Sequence, residues 1–213
     1  MPKYITEALG TFFLVLTIGC VVVSEIPYGP LAIAAGLMAV IYMGGHVSKA
    51  HYNPAITLAF YLSGGLPKKE VLPYLAAEMI GAILGALASF LVMGEAIAIA
   101  PAAEVSIWQV LLAEILFSFL LALVILNVAS ASNLAGNEFY GLAIAMVVLA
   151  GAAGVGGVSG AAFNPAVGIA HNLFSGNFSV MWYFIVAPCI GSSLAVPFFR
   201  WMNPQDFAKI PDA

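Results

Sequence analysis

The chain has very little charge. Of its 213 residues only 8% are Asp, Glu, Lys or Arg, where a soluble domain carries about 25%. Six basic residues cannot build the cationic surface that nucleic acid requires. A net charge of -4 points to no strongly charged partner of either sign. Cysteine is as scarce: Cys20 and Cys189 stand inside apolar runs and read as small buried hydrophobes. With three scattered histidines they offer no metal-ligand spacing, and no cofactor is implied. No nucleophile is patterned with a base, so nothing points to an enzyme. A cleavable leader is not expected, because the first apolar run continues well past a signal core.

What the chain does have is apolar length. It is 63% hydrophobic with mean hydropathy +1.06, the composition of a membrane protein. A bilayer core about 30 Å thick asks for roughly 20 apolar residues per helix. Six runs qualify as spans, near 4–24, 31–45, 70–93, 107–128, 139–155 and 180–201. Two shorter apolar segments, 54–62 and 165–174, reach only half way and must be re-entrant or interfacial.

Basic residues set the orientation. With six spans and a cytoplasmic N-terminus, Lys3, Lys49, Lys68, Lys69, Arg200 and Lys209 all fall inside, and Glu25, Glu95 and Glu104 fall outside. Both termini are then cytoplasmic.

The chain also repeats itself. Asn53-Pro54-Ala55 returns 111 positions later as Asn164-Pro165-Ala166, and the run from Glu7 is echoed from Glu114. Each half, about 1–95 and 104–203, reads as two spans, a half-helix and one span within a single channel domain. Three spans per half is odd, so the second half enters the membrane from the opposite side. Such inverted repeats place their sites near the midplane.

Asn before Pro is a good N-cap for a helix that Pro can start. Two half-helix N-termini meeting at the midplane bring together two positive dipole ends, each worth about half a charge. That repels cations. Asn53 and Asn164 can cap their helices and still offer an N–H to a passing oxygen. The extended residues before each triplet, Lys49, Ala50 and His51 with Gly160, Ala161 and Ala162, are read as a ladder of backbone acceptors, tolerated at depth where they line a wet cavity. Glu7 and Glu114, at matching repeat positions, are expected to accept N–H bonds from the re-entrant loop of their own half. Glu78 has no repeat partner; bracing, a neutral side chain and a place on a proton path remain open for it. Gly81 and Gly85, and Gly151, Gly154 and Gly157, suit close helix packing or a widened pore.

These residues resemble the aquaporin (major intrinsic protein) family over nearly the whole chain. The resemblance rests on the Glu7 opening, the run from Gly45 through His46, Val47, Ser48, Ala50 and His51 to the first triplet, Glu114, and Ser159-Gly160 ahead of the second triplet. It implies an all-α membrane fold of six transmembrane helices plus two re-entrant half-helices. It further implies a homotetramer in the cell membrane with one passive pore per subunit, no cofactor, and water or small neutral solutes as cargo. Where the family usually has Arg after the second triplet, this chain has Val167. Counting back from the triplets, the other members of the outer constriction are Ile33, Ala152 and Ala161. That set is small and apolar. Either it is wide and passes glycerol, urea or ammonia, or another side chain or a displaced loop narrows the mouth and water remains the cargo. Gly168 stands where the glycerol-conducting branch has Asp. Lys49 and His46 belong to the inner mouth with His51, and His171 is expected to offset a helix dipole or bond a loop carbonyl. A proton-coupled transporter is the contrasting reading, motivated by Glu78.

Overall fold

The structure is a computed structural model, and it describes residues 1–207; Lys209 lies outside them. Eight α-helices follow in order: α1 (Pro2–Ser24), α2 (Gly29–Ser48), α3 (Pro54–Ser63), α4 (Lys68–Met93), α5 (Ile107–Ser130), α6 (Tyr140–Ser159), α7 (Pro165–Ser175) and α8 (Tyr183–Met202). No strand occurs among the described residues. Among the described residues six spans are long and apolar enough to cross a bilayer, the last beginning at Phe178 with a short 3-10 turn. Helices α3 and α7 have 10 and 11 residues and reach about 15 Å.

Helices α2 and α6 run about a turn further than their apolar stretches suggest. Their glycine-rich ends stay helical to Ser48 and Ser159, then stop at left-handed caps on Lys49 and Gly160. Inside a bilayer a helix keeps its backbone paired until another partner is available, and here the re-entrant loops supply it.

The packing is arranged in matched pairs. Helix α1 lies along α4, and α5 along α8; α2 leans on α1, α6 on α5, and α2 meets α6. The half-helices cross over: α3 packs on α8 and α7 on α4. Each half-helix is thus clasped by the last span of the other half. The two long crossings are close because glycine makes them so. Gly81 and Gly85 press on the Ala8 and Phe12 carbonyls of α1, and Gly191 on the Ile115 carbonyl of α5, with no space for a Cβ at any of the three. Gly151 likewise receives the Phe163 ring, whereas Gly154 and Gly157 face open space. Gly81→Leu is expected to part α1 from α4 and cost more than the ~1–3 kcal/mol of ordinary overpacking, because the obstacle is backbone. Gly154→Ala serves as the control and does not lower the unfolding midpoint in detergent, since its Cβ meets open space and Ala favours the helix.

One end of the bundle gathers the basic side chains. Lys3 pairs with Glu70 at 2.8 Å, Lys49 reaches the Gly65 carbonyl at 3.4 Å, and Arg200 donates to the Leu62 carbonyl at 2.8 Å. The last contact places a cation on the C-terminal carbonyls of α3, where the helix dipole favours it.

Candidate functional site

The site begins with an unusual backbone. Lys49, Ala50 and Tyr52 have φ of 70°, 51° and 48°, and 111 residues later Gly160, Ala161 and Phe163 have φ of 90°, 50° and 49°. Left-handed backbone costs a non-glycine residue roughly 1–2 kcal/mol, so both loops need outside support. Two buried carboxylates provide it. Glu7 accepts from the His51 and Tyr52 N–H groups at 3.0 and 2.7 Å. Glu114 accepts from the Ala162 and Phe163 N–H groups at 3.0 and 2.7 Å and from the Ser159 hydroxyl at 2.7 Å. The Ser48 and Ser159 hydroxyl oxygens also accept from the Ala50 and Ala161 N–H groups. Aromatic wedges complete each loop. Tyr52 fills the space left by Gly10 and Gly44 and donates to the Val40 carbonyl at 3.0 Å, while Phe163 fills that left by Gly151 and stacks on Phe117.

The two loops meet through their asparagines. Asn53 Oδ1 accepts from the Ala55 N–H and Asn164 Oδ1 from the Ala166 N–H, both at 2.9 Å, so each caps its half-helix. The amide groups then cross. Asn53 Nδ2 donates to the Phe163 carbonyl at 2.9 Å, and Asn164 Nδ2 donates to the Tyr52 carbonyl at 2.8 Å. Each amide has two hydrogens, so one on each asparagine is not used by this exchange. Pro54 and Pro165 start their helices from behind and line an apolar recess beside Met79 and Cys189; Ala55 and Ala166 are buried in the first turns.

Both asparagines border a narrow cavity of about 60 Å³. At roughly 10–15 Å³ of such space per water, it admits a file of a few molecules. Its lining combines the loop residues Ala50, His51 and Tyr52 and Ala161, Ala162 and Phe163 with aliphatic side chains of α1, α2, α5 and α6. Towards the basic end it meets a vestibule of about 290 Å³, the two sharing Ile41 and Ile144. Lys49 and His46 line that vestibule, whereas His51 is buried deeper and lines the narrow cavity. Lys49 also lies 5.3 Å over the Phe60 ring.

At the far end, Ile33, Ala161 and Val167 line the cavity together. On α6 the lining residues are Ile144 and Val148; Ala152, a turn beyond Val148, stands outside the lining. Gly160 stands outside it too, facing the Ala100 backbone. Glu78 contacts the first half-helix. It pairs with the Thr57 hydroxyl at 2.6 Å, and Thr57 lies 2.8 Å from His51 Nδ1, so the acid is tied into the support of α3 and its loop.

Sequence reasoning passed over Ile99 and Asn172. Ile99 belongs to the connection between α4 and α5, is 5% exposed, and lines the cavity. Asn172 on α7, not its neighbour His171, holds that connection; His171 is buried near Gly19 of α1. The available signal was an uncapped Asn inside a short membrane helix, where an unpaired amide is costly.

A family model described as major intrinsic protein matches residues 1–199. The chain is 37% identical over 206 residues to "Aquaporin NIP1-1" of Zea mays, covering 90% of this chain and 71% of the relative. It is 36% identical over 201 residues to "Putative aquaporin NIP4-1" of Arabidopsis thaliana, covering 89% and 70%. Among solved structures it is similar to an aquaglyceroporin from Plasmodium falciparum, with a TM-score of 0.84, 20% identity, and coverage of 97% of this chain and 98% of the other. That likeness is one of fold. Six spans, two capped half-helices joined tip to tip, and a family match running through all of them establish that this chain belongs to the major intrinsic protein family.

Proposed function

We propose that the protein is a passive channel for water and small neutral solutes. The observation that carries this is the reciprocal pairing of Asn53 and Asn164 beside a cavity lined by both loops and by aliphatic side chains of the spans. A solute moving along it finds an unused amide hydrogen at each asparagine and backbone acceptors from residues 50–51 and 161–162. The aliphatic side chains offer no competing partner, which keeps the file narrow. An oxygen that accepts from both asparagines at once donates its own hydrogens away from the midplane, and this interrupts a proton wire. Positive ends of α3 and α7 oppose cations at the same point. The relatives' names, aquaporin and aquaglyceroporin, are consistent with such cargo.

On this reading Asn53, Pro54 and Ala55 with Asn164, Pro165 and Ala166 form the midplane gate against ions. Ile33, Ala152, Ala161 and Val167 set the outer end, with Val148 added. Lys49 and His46 form the inner mouth. The chain is one channel domain of two inverted repeats, 1–95 and 104–203. It assembles as a homotetramer in the cell membrane with the basic end, and both termini, cytoplasmic. Glu78 serves α3 through Thr57 and takes no part in transport.

Stopped-flow light scattering on proteoliposomes tests the proposal. The expected result is a permeability to water or to a small neutral solute about tenfold or more above empty vesicles, with a barrier lowered by at least ~1.4 kcal/mol. The flux is unchanged by an imposed proton gradient. Permeability equal to that of empty vesicles for water, glycerol, urea and ammonia contradicts it.

A further inference from the structure

The end of the cavity opposite Lys49 is closed on one side by a segment that is not part of any span. Ile97 and Ile99, in the connection between α4 and α5, are 9% and 5% exposed although they belong to no helix. The segment is fastened to α7. Asn172 Nδ2 donates to the Ile99 carbonyl at 2.8 Å, and the Ile99 N–H donates to Asn172 Oδ1 at 3.1 Å. One side-chain amide therefore satisfies both backbone groups of Ile99, as a neighbouring strand does. Asn172 is itself fully buried. A second tie joins the Ala102 N–H to the Val158 carbonyl of α6 at 3.4 Å, and the Ala100 backbone packs on Gly160. The connection is thus held at both half-helix and span, and its Ile99 side chain lies in the wall of the cavity with Ile33, Val148, Ala161 and Val167.

We infer that Ile99, held by Asn172, is a specificity-determining residue of this channel. Ile99 adds a branched side chain, from outside the spans, to the lining that Ile33, Val148, Ala161 and Val167 share. With it, the ring is closed by branched aliphatic side chains and offers no side-chain hydrogen bond. Size, and the cost of stripping hydration from a solute, then decide what passes. Asn172 acts as a positioning residue: it touches no solute and fixes the depth of Ile99. This rests on the channel reading above and names the element that sets its selectivity.

The test uses full-length protein in proteoliposomes, with water, urea and glycerol as probes. Ile99→Ala is expected to raise glycerol permeability about tenfold, the scale on which small changes of apolar bulk discriminate between solutes, and to change water permeability about twofold or less. Ile99→Val gives an intermediate rise. Asn172→Ala releases the segment and gives a rise in glycerol without any change in pore-wall chemistry. Asn172→Asp, as a carboxylate, keeps the acceptor for the Ile99 N–H but sets an oxygen against the Ile99 carbonyl, and it releases the segment at least as far as Asn172→Ala. Variants that keep wild-type water flux but show an unaltered glycerol-to-water ratio overturn the inference. Wild-type flux above empty vesicles reports on the channel itself, and the variant-to-wild-type ratio reports on Ile99. If wild type passes none of the probes, opening by Ile99→Ala supports the inference, and a closed Ile99→Ala overturns it. Should Ile99→Ala fail to fold, Ile99→Val and Asn172→Ala decide the same ratio.

Discussion

Glu114→Gln is expected to lose both stability and flux. The carboxylate accepts three hydrogen bonds, two from backbone N–H groups in left-handed or adjoining conformation and one from Ser159. An amide keeps one oxygen and turns the other position into a donor. Whichever way it sits, a donor then faces the Ala162 or Phe163 N–H. A buried donor without a partner costs on the order of 1–3 kcal/mol, and one at membrane depth costs several. The strained backbone at Ala161 and Phe163 is released with it. The expected outcome is a drop of more than ten degrees in the unfolding midpoint in detergent and flux reduced to that of empty vesicles; on the order of 3 kcal/mol over ~200 residues already shifts a midpoint by about 6–12 °C. Glu7→Gln follows in the same direction, since Glu7 receives the matching pair of backbone bonds. A Glu114→Gln protein with wild-type stability and permeability excludes the bracing role.

Val167→Arg should divide solutes by size. Val167 is 2% exposed and lines the cavity at the same end as Ile33, Ala161 and Ile99. A guanidinium there adds bulk to a ring already narrow and brings a charge to a place lined by aliphatic carbon. The expected result is glycerol permeability down about tenfold, with water reduced two- to threefold, an unequal loss on the scale of ~1 kcal/mol between the two solutes. Cation leak falls further, because the new charge adds to the positive ends of α3 and α7. Placing Arg at membrane depth costs about 2.5–3.5 kcal/mol, so the unfolding midpoint is measured alongside. Equal loss for both solutes, or no change, shows that Val167 does not line the constriction.

Much of this was legible from the chain. Run lengths gave six spans and two half-spans, because hydrocarbon thickness dictates the count. The doubled triplets and the echo of Glu7 in Glu114 located the loops that matter. Other features were not legible, for physical reasons. Left-handed φ at Ala50, Tyr52, Ala161 and Phe163 contradicts local preference and is imposed by tertiary hydrogen bonds. Tyr52 and Phe163 look like ordinary apolar neighbours of Asn until Gly10, Gly44 and Gly151 are seen to make room for them. The count to Ala152 falls one turn beyond Val148, on the same face of α6 as the cavity-lining Ile144 and Val148; run lengths in the sequence do not say how far along that face the cavity extends. Ile99 lies in a short alternating run, Ala96 to Ala100, too brief to read as an element of its own, and its pairing with Asn172, 73 residues away, reveals its place.

The crossed asparagine bonds also govern the order of manufacture. When the ribosome has delivered α1 to α4, the Tyr52 carbonyl and the Asn53 amide have no mates, since both are supplied by residues 163 and 164. The tip of the first half-helix is therefore completed only when the later half of the polypeptide arrives, and the two halves finish each other rather than themselves.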